Sequence, residues 1–134
     1  MTVIVTDAGF TPDTWTHGFC GPDVAANDIC ALDLPSDTDP QQVHLTPGLQ
    51  MIRVDFPSSA DGLGFTIARQ LRLRGFTGRL RARGHVLSDQ YAMARRAGFD
   101  EVEISDDLAA RQPEKEWVFR ANWQDHDYQA RLRG

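Results

Sequence analysis

The chain has 134 residues, a formal net charge of -5 and 41 % hydrophobic residues. That is enough for one domain with its own core and is the composition of an ordinary globular protein. It excludes a broadly basic nucleic-acid binder, and no apolar run is long enough to span a bilayer. The first ten residues, MTVIVTDAGF, lack a basic stretch followed by an apolar one, so the cytoplasm is the expected location.

Charge is distributed unevenly. Residues 1–52 hold seven Asp and no Lys or Arg, residues 53–99 hold nine Arg against three acids, and residues 100–134 hold nine acids against five bases. The arginines of the middle are either matched internally or meet an anionic ligand or partner, since a guanidinium pairs bidentately with carboxylate and phosphate. Cys20 and Cys30, with His17 and His44, form a conceivable ligand set, but irregular spacing without a C-x-x-C knuckle gives no metal signature. Two small thiols, buried or half-buried, are the plainer reading.

In chain order, Val3–Val5 is β-prone, residues 8–13 turn the chain, and Trp15 alternating with polar neighbours over 14–17 suits a hairpin arm. Ile29–Leu34 is again β-like, and the Pro/Asp/Ser run from Pro35 to Pro40 ends it. The loop-rich residues 1–50 then give way to a core at 51–104. There MIRVDF buries Ile52, Val54 and Phe56 by alternation. Ser58 or Ser59 can cap the following helix, with Asp61 in its first turn, and Gly64, Ile67, Ala68 and Leu71 form its inner stripe. Gly64 and Ala68 allow close helix–sheet packing, and Gly75 closes the helix.

The second core strand, residues 78–86, alternates Leu80 and Ala82 with Arg79, Arg81 and Arg83. Such a face either opens to solvent or meets acids, because each buried unpaired charge costs several kcal/mol. Ser88 can cap a second helix with Tyr91 and Ala94 inside and Gly98 at its end, and residues 101–104 form the third strand. The fold expected is α/β: a small, mainly parallel sheet with a βαβαβ core and helices mostly on one face, Rossmann-like or part of a (βα) barrel. In the remaining segment, 105–134, Ser105 caps a short helix, Pro113 breaks it, and Trp117 to Trp123 reads as an extended aromatic arm that either covers the sheet or forms a homodimer contact.

Asp61 to Ala68 gives only a weak G-x-G pattern, which close packing explains better than dinucleotide binding. Arg81, His85, Asp89 and Gln90 fall at the carboxyl end of the second core strand and its helix start, where α/β proteins place ligand groups. His85 could exchange a proton with Asp89 orienting it, or Asp89 and Gln90 could simply serve the helix start and a neighbouring loop.

Phe56-Pro57, Ala60-Asp61-Gly62-x-Gly64-Phe65, the run Gly75 to Ala82 with Gly84, Asp89-Gln90, and Ala97-Gly98-Phe99-Asp100 together resemble the bacterial family called domain of unknown function 934. The likeness is good over residues 50–104, with an echo at Tyr128-Gln129. The family's recurring polar residues fall on Asp61, Arg69, Arg81, Asp89, Gln90 and Asp100. Two positions depart: Leu63 stands where an arginine is usual, and His85 where a small or acidic residue is.

What the resemblance implies is an accessory protein of assimilatory sulfite reduction. It would dock on sulfite reductase or its electron donor, with no chemistry of its own, and the basic strip from Arg69 to Arg83 would contact an acidic partner or an anion; an oxidoreductase label attaches by association. No catalytic residue is assigned, and no cofactor is expected, two isolated cysteines being too few for an iron–sulfur cluster within one chain. Asp61, Arg69, Arg81, His85, Asp89 and Gln90 are the ligand- or partner-binding candidates. The alternative is a small anion- or nucleotide-binding enzyme using the same group.

Overall fold

The computed structural model describes residues 2–21, 30–60 and 62–121. Among these, six strands form one sheet: β1 (Thr2–Thr6), β2 (Gly9–Thr11), β3 (Ala31–Leu34), β4 (Met51–Phe56), β5 (Arg79–Gly84) and β6 (Glu101–Ser105), in spatial order β2-β1-β6-β5-β4-β3. β3 to β6 are mutually parallel, and β1 runs antiparallel to both β6 and β2. The βαβαβ unit is thus present with its strands in simple order. The region expected to turn the chain before a hairpin arm instead contains β2, which folds back on β1 after a turn at Asp7 and Ala8, and residues 14–17 carry no strand.

Helix α1 (Leu63–Leu73) packs on β4 and on α2 (Tyr91–Ala97), so both crossover helices share one side of the sheet. Ile52, Val54, Phe56, Leu80, Ala82, Val102 and Ile104 point to that side and are buried with Ile67, Ala68, Leu71 and Tyr91. Gly64 lets α1 approach closely, since a Cβ there would run into the Phe56 ring. α1 starts later than a serine cap implies: its N-cap is Gly62, and the Ser58 hydroxyl instead accepts from the Ala60 amide within the preceding turn. Ser88 likewise opens a single 3-10 turn ahead of α2, its amide donating to Gln112 and its hydroxyl bonding Glu116. Ser105 does cap α3 (Asp106–Arg111), accepting from the Leu108 amide.

Trp117 is not in an extended arm. It lies in helix α4 (Glu114–Phe119), fully buried, its indole N–H donating to the Gln112 carbonyl and its ring edge-on to Tyr91 at 6.1 Å between centroids. A side chain with no exposed surface cannot form the subunit contact suggested for it, and Trp123 lies outside the described residues.

Tyr91 donates its hydroxyl to Asp7. Burial, reinforced by that carboxylate, pushes the hydroxyl pKa up. The folded state therefore holds the proton more tightly than the unfolded one, so this contribution is intact below about pH 10 and is lost as the pH rises further. In Tyr91→Phe the alkaline fall of the urea midpoint should be shallower; identical slopes above that pH would contradict the assignment.

Candidate functional site

Alternation along β5 throws Arg79, Arg81 and Arg83 onto the face away from α1 and α2. Register brings Arg53 and Asp55 of β4, Glu101 and Glu103 of β6 and Asp33 of β3 onto the same face. The arginines meet acids there. Fully buried Arg81 donates to Glu101 at 2.6 Å and Glu103 at 2.9 Å, and grips Asp13 with both terminal nitrogens at 2.9 and 3.0 Å. Arg53 is bidentate on Asp33 and also reaches Glu103, while Arg79 is held by Glu101.

Asp13 belongs to an irregular segment lying against this face, with Phe19 3.9 Å from the Arg53 guanidinium and Trp15 5.9 Å from that of Arg79. The Arg81 hydrogen bonds hold the Asp13 carboxyl below its usual range despite partial desolvation. Burial alone would lower the Arg81 pKa, but Asp13, Glu101 and Glu103 outweigh it and the guanidinium stays above its usual value.

Most of the basic strip is engaged within the fold. Arg79 and Arg81 are bound to carboxylates, Arg72 to Asp100 and to the carbonyls of Phe76, Gly78 and Gly98, and Arg74 to those of Pro40 and Val43. Their donors are spent on holding loops and strands together. Arg69 is exposed, six residues into α1 and so about 9 Å along its axis.

The carboxyl edge of the parallel strands is built differently. Gly84 ends β5 with φ +116°, and His85 then donates its amide to the Phe56 carbonyl, at the edge of β4. The turn needs glycine twice over, since φ is in the left-handed region and a Cβ would stand 2.5 Å from that same carbonyl oxygen. Gly84→Ala should therefore lower stability by more than about 1 kcal/mol, read as a fall in Tm; an unchanged Tm would contradict this account of the rim.

His85 is exposed and lines two clefts. One, of about 310 Å³, is bounded also by Thr2, Asp55, Arg83, Glu103 and Ser105. The other, of about 220 Å³, is bounded by Ser59, Leu87, Leu108, Arg111 and Gln112. Gln90 ties the two strand-end loops together, its carbonyl oxygen accepting from the Leu87 amide and its amide donating to the Ser59 carbonyl at 2.8 Å. Asp89 is exposed and its side chain makes no hydrogen bond or ion pair among the described residues, and Asp61 falls outside them.

The structure thus brings His85 and Gln90 to the rim, commits Arg81 to the buried cluster, and leaves Arg69 and Asp89 on the surface. Sequence reasoning passed over Asp13, Asp33, Arg53 and Asp55 as members of the charged face. The alternation of Arg53 and Asp55 within MIRVDF, in step with that of Arg79 to Arg83, was the available signal. Among the described residues no three His, Cys, Asp or Glu side chains form a group that could hold a metal ion, and no helix is long and apolar enough to cross a membrane.

Comparison with curated proteins and with solved structures returns no match. A family model does match, over residues 31–133, which takes in the whole βαβαβ core and the rim but not the segment carrying Asp13. The chain belongs to the family described as bacterial protein of unknown function, DUF934.

Proposed function

We propose that this protein is an accessory component of assimilatory sulfite reduction, assisting sulfite reductase or its electron donor by association. The observation that supports this reading is the family match across residues 31–133, since an accessory role in sulfite reduction is what resemblance to that family implies. The geometry supports a supporting part in one respect: of the candidate residues, Arg81 and Gln90 are engaged in holding the fold together. The contact with a partner then falls to surfaces other than Arg72, Arg74, Arg79 and Arg81 of the strip. Of the candidates among the described residues, exposed Arg69 and Asp89, and His85 at the rim, are left available to it.

Deletion of the gene should slow growth of its host on sulfate as sole sulfur source and leave growth on cysteine unchanged. A tagged chain at native expression should co-purify with sulfite reductase or its electron donor. Equal growth on both sulfur sources would remove the reading.

A further inference from the structure

The charged face ends unevenly. On its inner part each guanidinium is held at close range, Arg53 on Asp33 at 2.7 Å, Arg79 on Glu101 at 2.8 Å and Arg81 on Glu101 at 2.6 Å. Arg83, nearest the carboxyl edge, comes only to 3.5 Å from Asp55 and 3.6 Å from Glu103, and its side chain is 45 % exposed. A guanidinium has five N–H donors, so most of this one's capacity is unspent. Asp55 is 37 % exposed and has one carboxylate oxygen without a partner among the described residues. Both groups line the 310 Å³ cleft, which lies at the carboxyl ends of parallel strands, the edge where open α/β sheets bind ligands.

The charge pattern selects the ligand. A simple anion on Arg83 would be set against Asp55 and Glu103, and a simple cation on Asp55 would be set against Arg83. The first would leave two like charges and the second one within a few ångströms, which is unfavourable. A group carrying both charges meets both partners. In an α-amino acid, bond lengths set the ammonium nitrogen about 3 Å from the nearer carboxylate oxygen, close to the 3.5 Å between the Arg83 and Asp55 atoms. We infer that the cleft formed by Asp55, Arg83, His85 and Glu103 binds a zwitterionic α-amino acid, with its carboxylate on Arg83 and its ammonium group on Asp55. The side chain then points past exposed His85, which is placed to select among amino acids. This inference is independent of the sulfite-reduction reading, and either can fail without the other.

The test is a titration of the isotope-labelled full-length protein with each common α-amino acid, and with acetate, methylammonium and sulfate, followed by amide NMR shifts. At least one amino acid should shift the Arg83, Gly84 and His85 amides saturably, binding about tenfold or more tighter than acetate or methylammonium. Arg83→Met and Asp55→Asn should each weaken that binding by a similar factor. Asp55→Asn preserves the side-chain shape and serves as the test should Arg83→Met disturb the fold. The inference is overturned if no amino acid shifts these amides, if sulfate shifts them as strongly, or if binding is unaltered in the folded variants.

Discussion

Arg81→Met should destabilise the protein by about 3–5 kcal/mol, the range seen when one partner is removed from a buried ion cluster. Methionine fills much of the space, so the loss reflects the carboxylates of Glu101 and Glu103 left facing each other in a buried setting without the cation they share. Asp13, more exposed, can turn to water and contributes less to the penalty. Adding Glu101→Gln and Glu103→Gln to Arg81→Met should recover part of the stability, because the repulsion then disappears. Urea unfolding of the single and combined variants measures both effects. A loss below about 1 kcal/mol for Arg81→Met would place it among ordinary surface changes and would mean that the cluster is not closed.

Trp117→Ala is expected to cost about 3–5 kcal/mol, in line with truncation of a fully buried aromatic. The variant empties the space beside Tyr91 and orphans the Gln112 carbonyl that accepts the indole N–H. Phe119→Ala, two residues on, should change stability by less than about 0.5 kcal/mol, because that ring is 70 % exposed. An extended arm over the sheet would bury the two side chains alike, since residues i and i+2 of a strand share a face. Unfolding of both variants therefore distinguishes helix from arm, and similar large losses at Trp117 and Phe119 would contradict the helix.

The contrast between these two residues also explains which parts of the fold were legible in the sequence. The βαβαβ core was readable because β4, β5 and β6 alternate cleanly and α1 carries a stripe over three turns. In α4 only six residues are helical and only Trp117 is buried, so the spacing of Trp117, Phe119, Ala121 and Trp123 imitated a strand. The turn chemistry of residues 8–13 masked a strand of three residues, too short for an alternation to show. Serines at 58 and 88 carried a capping signal that the backbone did not use, because their polar atoms found partners in the adjoining turn and in the segment from Gln112 to Glu116.

For the charged face, the choice between solvent and acids was visible in the arginine alternation, and Glu101 and Glu103 were near at hand in sequence. The third partner was not. Asp13 lies 68 residues from Arg81, in a segment without regular structure, and no local pattern announces a contact over that separation. At the rim, the sequence located His85 and Gln90 near a strand end, but it could not show that Gln90 bridges two loops. Nor could it show that Asp55 and Arg83 face one cleft, which depends on the strand order and the register of β4 against β5.

On the inner part of the charged face, Arg53, Arg79 and Arg81 are satisfied by the protein's own carboxylates. Hydrogen exchange of the arginine Nε–H groups, followed by NMR on the isolated chain, tests it most directly. The Arg81 Nε–H, bonded to Glu101 at 2.6 Å with its side chain fully buried, should be strongly protected, while that of exposed Arg69 exchanges freely. Exchange at Arg81 as fast as at Arg69 would mean that this guanidinium is open to solvent or to a partner, and the account of the face would be wrong.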